Sequence, residues 1–212
     1  MPPEPTVASD IAAAAPADSE RGRVLLALAR EAIAGALYLL PSAAWVPAPE
    51  LAAPWLRAPG ACFVTLTRQS RLRGCIGSVR ARRSLADDVR ANARAAALSD
   101  PRFPPLTAGE LPETRIEVSL LSAPSPLPAA SEEEALAALR PGIDGIILEI
   151  GGETHATFLP QVWENLPSPR DFLAHLKHKA GLPPDFWSPD LRLQRYTVIK
   201  WAEQGPEAES PS

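Results

Sequence analysis

Residues 61–79, ACFVTLTRQSRLRGCIGSV, decide the fold. The first seven, ACFVTLT, are rich in β-formers and lie between Gly60 and the polar RQSR. An extended pattern resumes over residues 72–79, so the stretch predicts a hairpin. Its second strand carries Gly74 and Gly77. Glycine weakens a strand, and inside one it marks a bulge or a place where another group approaches the backbone closely.

Working outward, Val24, Leu25, Leu28, Ala32, Ala36, Leu37 and Leu40 recur at three- and four-residue intervals, the buried face of a helix that Pro41 ends. Pro47, Pro49, Pro54 and Pro59 then impose a meandering connection. Beyond the hairpin, Ser84 with Asp87 opens a second helix with Leu85, Val89 and Ala93 inward, stopping before Pro101. Residues 114–121 alternate, with Ile116, Val118 and Leu120 on one face and Arg115, Glu117 and Ser119 on the other, as in a half-buried strand. Ser131 with Glu134 is a capping pair for a short helix through Leu139 that Pro141 stops. Residues 145–150 and 155–159 flank Gly151-Gly152, a tight-turn signal. A further helix covers residues 171–180 with Gly181 as its stop, and residues 191–201 read as one closing strand. Strands arriving as hairpins, without a βαβ rhythm, predict an α+β fold of antiparallel sheets flanked by helices. There is no internal repeat.

The chain has 212 residues, 46% hydrophobic and 22% charged, room for one large domain or two small ones. Its 25 prolines cap the length of every element. A net charge of -4 argues against a general affinity for nucleic acid. Residues 1–19 and 203–212 are dominated by Ala, Pro, Ser and acid and read as disordered tails, leaving 20–202 as the folded part. The N-terminal stretch lacks a positive region and its apolar run is broken by Pro16, so it does not read as a secretory leader. No apolar run approaches the roughly 18 residues of a membrane span. With only two cysteines, Cys62 and Cys75, a multi-bridge framework and an all-cysteine zinc cage are excluded. A reducing, cytoplasmic setting is the expectation.

Residues 68–83, RQSRLRGCIGSVRARR, hold six arginines and no acid in a chain that is negative overall. Such a run focuses anions. Cys75 sits in its middle between Gly74 and Ile76 and two residues before Gly77, and a thiol among guanidinium groups is held toward the thiolate that attacks electrophiles. The opposite reading is a small core hydrophobe with a solvated arginine rim. If Cys62 and Cys75 are direct cross-strand partners, a redox pair is open; a slip of one residue puts them on opposite faces. Asp171, His175 and His178 share one arc of their helix, where the choice is a metal half-site or a polar solvent face, with His155 the one other histidine. Asp100, Arg102 and Phe103 in SDPRFPPL form a turn in which Asp100 organises the backbone and Phe103 docks into the core, or in which the pair faces a cleft. Glu117 projects from the polar side of its strand, an acid or base if a cleft borders it. There is no HExxH, GxxxxGK[ST] or GxSxG, so the residues imply neither a metal nor a cofactor.

LRGCIG at residues 72–77, NARAAALSDPRFPPL at 92–106, EVSLL at 117–121, GIDGIILEI at 142–150, ATFLPQV at 156–162 and HLKHKAGL at 175–182 together resemble the AMMECR-type domain, whose bacterial members are called AmmeMemoRadiSam system protein A. The resemblance implies two unequal subdomains, each on an antiparallel sheet, with LRGCIG near a cleft between them. It implies as company a Memo-like protein and a radical SAM enzyme, and it brings no settled reaction. It makes Leu72, Arg73, Gly74, Cys75, Ile76 and Gly77 the best site positions, joined by Arg71, Asp100, Arg102 and Phe103. Lys177 departs from relatives that carry cysteine there, so no second thiol is expected beside Cys75 from that side.

Two functions fit these residues. One is an accessory protein whose glycine-rich strand and arginine rim dock those partners. The other is an enzyme in which Cys75 is the nucleophile or group carrier, Arg73 holds a small anionic substrate and Glu117 shuttles a proton.

Overall fold

The computed structural model describes residues 18–37 and 53–204. The expected tails and the helix stop at Leu40 and Pro41 lie largely outside that range, as do Pro47 and Pro49. The elements in chain order are α1 (Asp18–Ala36), α2 (Pro54–Arg57), β1 (Pro59–Gly60), β2 (Cys62–Arg68), β3 (Arg71–Gly77), β4 (Arg83–Ser84), α3 (Leu85–Leu98), β5 (Thr114–Leu121), β6 (Ser125–Leu127), α4 (Glu132–Ala138), β7 (Gly145–Ile150), β8 (Glu153–Phe158), α5 (Pro169–Lys179), β9 (Leu191–Tyr196) and β10 (Val198–Ala202). This is the expected α+β class. Two four-stranded antiparallel sheets, β10-β5-β2-β3 and β6-β9-β7-β8, organise it, and β1 with β4 makes a two-residue bridge.

The inner face of the first sheet, Val64, Leu66, Ile116 and Val118, packs on α1 through Leu25, Leu28 and Ile33 and on α3 through Val89, Ala93 and Ala97. Each fully buried aliphatic side chain of this kind contributes roughly 1.5–3 kcal/mol. Ser84 caps α3 by accepting from the Asp87 N–H, as its spacing implies. The second sheet carries its own core, where Ile146, Leu148 and Leu193 meet Phe172, Leu173 and Leu176 of α5, with Trp163 stacked on Phe172 at 3.8 Å. Ser131 accepts from the Glu134 N–H at the start of α4, and Gly181, at φ +76°, stops α5 where an L side chain would be strained.

Residues 191–201 are not one strand. The chain pairs with β6 and β7 up to Tyr196 and with β5 from Val198 onward, so it changes sheets at Thr197. The other sheet-to-sheet crossing, between β5 and β6, runs beside it: Ser122 N–H donates to the Thr197 carbonyl at 2.9 Å, and Thr197 N–H to Ser122 Oγ at 3.0 Å. Alternation alone does not reveal such a switch, because both halves keep a period of two. The sequence also hid β6, whose Pro126 is tolerated because β6 is an edge strand. The fold reaches slightly past the expected limits: α1 starts at Asp18, and Glu203 accepts from the Arg30 guanidinium and, at 2.9 Å, from the Ile116 N–H.

The outer face of the first sheet meets the second along one apolar row. Ala61, Leu121, Ile147 and Tyr196 form that contact, with Phe63, Val79, Leu159 and Val198 against it. Beyond this row the outer face turns polar. No helix among the described residues is long and apolar enough to cross a membrane.

Candidate functional site

The hairpin turns at Gln69 and Ser70, both at positive φ, and pairs Thr65 with Cys75 and Phe63 with Gly77. The register slips between Leu66 and Thr67, whose partners are Gly74 and Leu72, which leaves Arg73 as the extra residue of a bulge. Gly74 lies opposite Leu66 on the inner face, where a Cβ would stand 2.1 Å from the Ala96 carbonyl oxygen of α3. Only glycine lets the strand come that close to the helix. Gly77 is pressed on the outer face in the same way, its absent Cβ filled by the Phe63 ring at 2.2 Å. Both glycines thus mark close approaches, and Gly74 also adjoins the bulge.

In this register Cys62 and Cys75 are not partners. Cys62 points into the core and is fully buried, while Cys75 stands half-buried on the outer face, and both thiols are free. The redox pair is thereby excluded in this conformation. Cys75 shares a cross-strand row with Thr65 and Glu117, because Thr65 pairs with Cys75 on one side and with Glu117 on the other. The Thr65 hydroxyl donates to the Cys75 sulfur at 3.4 Å, and Ser119 Oγ reaches Glu117 at 3.4 Å. Two residues marked in the sequence are brought onto one face, and Thr65, which single-strand reasoning overlooked, stands between them.

The main chain of Cys75 is held from the side. Its N–H donates to Asp100 Oδ2 at 2.8 Å, and its carbonyl accepts from Arg102 Nη2 at 3.1 Å. Asp100 is buried and also accepts the Arg102 N–H and guanidinium, so the turn after α3 closes on itself and on the thiol segment together. The Arg102 guanidinium, with the Cys75 N–H added, holds the Asp100 carboxyl far below its usual range; in return Asp100 raises the Arg102 value, with Cys75 a smaller contributor. Phe103 is half-buried under the Arg102 guanidinium at 5.5 Å and joins none of the described core clusters, correcting the expectation that it docks inside.

Arg73 does not stand beside the thiol. The bulge sends its guanidinium to Glu110 and to the carbonyls of Pro104 and Pro105, and this pair holds Glu110 down to about 2, with the Thr107 N–H assisting. The rest of the arginine run is likewise met by acids from elsewhere: Arg68 by Glu110 and Glu113, Arg80 by Glu149, and Arg83 by the buried Asp88. Arg71 and Arg82 remain exposed. The segment that looked like an unbalanced anion focus is therefore largely neutralised, and the arginine at the thiol is Arg102. Ile76 turns to the inner face and packs against the core.

The other candidates lie on the second sheet. His175 Nδ1 bonds its own helix at the Asp171 carbonyl, 2.8 Å away, and His155 is on β8. Among the described residues no three His, Cys, Asp or Glu side chains come together as a metal set. Lys177 is fully buried and paired to Glu132 at 2.9 Å, with the Pro184 carbonyl also at 2.9 Å. A groove of about 640 Å³ lies at the far edge of the first sheet, lined by Ile143, Pro160, Gln161, Val198 and Lys200 among others; no LRGCIG residue borders it.

Comparison with known proteins places nearly the whole folded region in one family. Residues 26–201 match the AMMECR1 family model. The chain belongs to the AMMECR1 family. Within it, a protein of Methanothermobacter thermautotrophicus is 36% identical over 197 residues, covering 90% of this chain and 98% of that one. A protein of Thermococcus gammatolerans is 37% identical over 198 residues, covering 88% and 92%. The crystal structure of PH0010 from Pyrococcus horikoshii superposes with a TM-score of 0.76 at 34% identity, covering 88% of this chain and 93% of that one. In this chain the fold places a half-buried thiol on the outer sheet face and fixes its backbone with an aspartate–arginine turn.

Proposed function

We propose that this AMMECR1 protein is an accessory binding protein whose outer sheet face around Cys75 docks a partner, the Memo-like protein and radical SAM enzyme being the partners its family resemblance suggests. One observation carries the reading: the Cys75 main chain is clamped on both sides by Asp100 and Arg102, while its side chain faces outward beside Thr65 and Glu117. The clamp costs nothing further on docking, because the segment is already ordered. All three histidines lie on β8 and α5, so none belongs to the sheet that carries the thiol, and the one imidazole ring bond described is to the Asp171 carbonyl of its own helix. Two subdomains meeting at this face would make it the wall of a cleft, in which Arg102 offers a small anionic group its exposed edge.

The test is co-purification of the intact chain with each of those two proteins, beside Cys75→Ser and Arg102→Ala. Stable complexes that both substitutions weaken support the reading. A chain that ignores both proteins overturns it.

A second reading, Cys75 as nucleophile or group carrier, draws on the Thr65 hydroxyl that donates to the sulfur. Its mark is an iodoacetamide reaction at pH 7 faster than that of a free cysteine. A rate no faster removes the catalytic role and leaves the docking role standing.

A further inference from the structure

The two four-stranded sheets have four edges, and three of them are closed. At β3, Asp100 and Arg102 occupy the Cys75 N–H and carbonyl. Strand β6 is three residues long with Pro126 at its centre. On β8 the Thr157 carbonyl is taken by Lys179, and α5 lies against the strand. These are the ordinary ways in which proteins blunt a sheet edge.

The β10 edge is different. The Glu203 N–H donates to the Ile116 carbonyl at 3.0 Å, so by the alternation of an antiparallel ladder the N–H groups of Ile199 and Trp201 face β5 and those of Val198, Lys200 and Ala202 face outward. Among the described residues nothing bonds to that outward main chain. Among the described residues, two of the three exposed large hydrophobic side chains are here: Ile199 on the strand, 46% exposed, and Ile143 in the adjoining groove, 51% exposed. Val198 and Lys200 line the same groove from the strand side. Lys200 is turned aside to Gln161 at 3.0 Å, so its ammonium does not cover the edge.

We propose that β10 is a docking edge that takes an extended segment of a partner protein as an antiparallel fifth strand, setting apolar residues against Ile199 on one face and an acidic residue beside Lys200 on the other. A row of outward N–H and C=O groups is complemented by another strand and not by a helix, and side chains of alternate residues supply the selectivity. An opposite charge across from Lys200 favours one register. The inference goes beyond the Cys75 reading and does not depend on it.

The probe is a capped heptapeptide of alternating valine and glutamate, labelled for fluorescence anisotropy, with amide hydrogen exchange followed on the full chain. Saturable binding is expected, with exchange at the Lys200 amide slowed about tenfold at saturation. Lys200→Pro removes the outward N–H at an edge position where proline is tolerated, and weakens binding by about tenfold or more. A peptide N-methylated on its glutamates, the residues that an antiparallel fifth strand pairs with Val198, Lys200 and Ala202, keeps every side chain and loses its edge-facing donors; it too binds at least about tenfold more weakly, which tests the idea even if the proline variant folds poorly. Cys75→Ser binds as the parent does. No saturable binding, equal binding of the methylated peptide, or a dimer of the free chain that Lys200→Pro dissolves would each overturn the proposal, the last by giving the edge to a second copy.

Discussion

Cys62 and Cys75 lie on adjacent strands of one hairpin, and each has its backbone N–H bound by an aspartate from one end of α3: Cys62 by Asp88 at 2.9 Å, Cys75 by Asp100 at 2.8 Å. The anchoring device is the same and the outcome is opposite. Cys62 faces the helices, fully buried, and burial first, then the Asp88 charge, push its thiol far above the ordinary range. Cys75 faces away from them, half-buried, with a hydroxyl on its sulfur. Strand parity, rather than any difference in nearby sequence, decides which thiol is structural and which is presented.

The sharpest way to break this comparison is to remove the deeper anchor. Asp88 accepts from the Cys62 N–H, Ser78, Arg83 and Asn92 at once, and is itself buried. Asp88→Ala strands all four donors and is expected to cost about 3–5 kcal/mol, read from the urea midpoint. If the loss is below about 1 kcal/mol, the network is not what holds β2 to α3.

Next comes selectivity between the thiols. In the native chain iodoacetamide is expected to modify Cys75 at least about a hundredfold faster than Cys62, since burial both holds Cys62 as the unreactive thiol and keeps the reagent from it. Peptide mapping after partial labelling measures it, and comparable labelling of both would refute the difference in environment.

Asp100→Asn keeps the shape and removes the charge that pairs with Arg102 and receives the Cys75 N–H. A loss of about 1–2 kcal/mol is expected, with faster amide exchange at Cys75 and no change at Cys62. Exchange rising equally at both sites would mean that the two anchors are one unit.

The smallest effect is on acid stability. Glu110 is held at about 2, below its ordinary 4.5, chiefly by Arg73. A carboxylate whose folded value is depressed stabilises the fold above its unfolded value, and that contribution is lost as pH falls from about 4.5 toward 2. Glu110→Gln should therefore flatten the fall in Tm across that window and leave the Cys75 and Cys62 labelling ratio at neutral pH unchanged.

Much of the frame was legible without coordinates. Helices starting at Ser84 and Ser131, the Gly181 stop and the alternation of residues 114–121 are local signals, each carried by a cap, a backbone conformation or a period, and the structure repeats them. The switch of sheets at Thr197 was not legible, because two short strands of equal parity look like one long strand. Nor was the burial of Lys177, whose partner Glu132 is 45 positions away. At the candidate site, Cys75, Asp100, Arg102 and Glu117 were each marked, while Thr65 went unmarked for want of a register: RQSR contains no glycine to fix the turn, and Gln69 and Ser70 take positive φ all the same.

By itself, then, the sequence determined that this chain folds as helices on antiparallel hairpins and marked a glycine-flanked thiol as the candidate site, because propensity, caps and periodicity act within a few residues. Only the tertiary structure decided which face that thiol occupies, that Arg102 rather than Arg73 attends it, and that acids from other elements neutralise most of the arginine run. Register and charge pairing join residues distant along the chain, and their energies exist only once the strands and helices have been brought together.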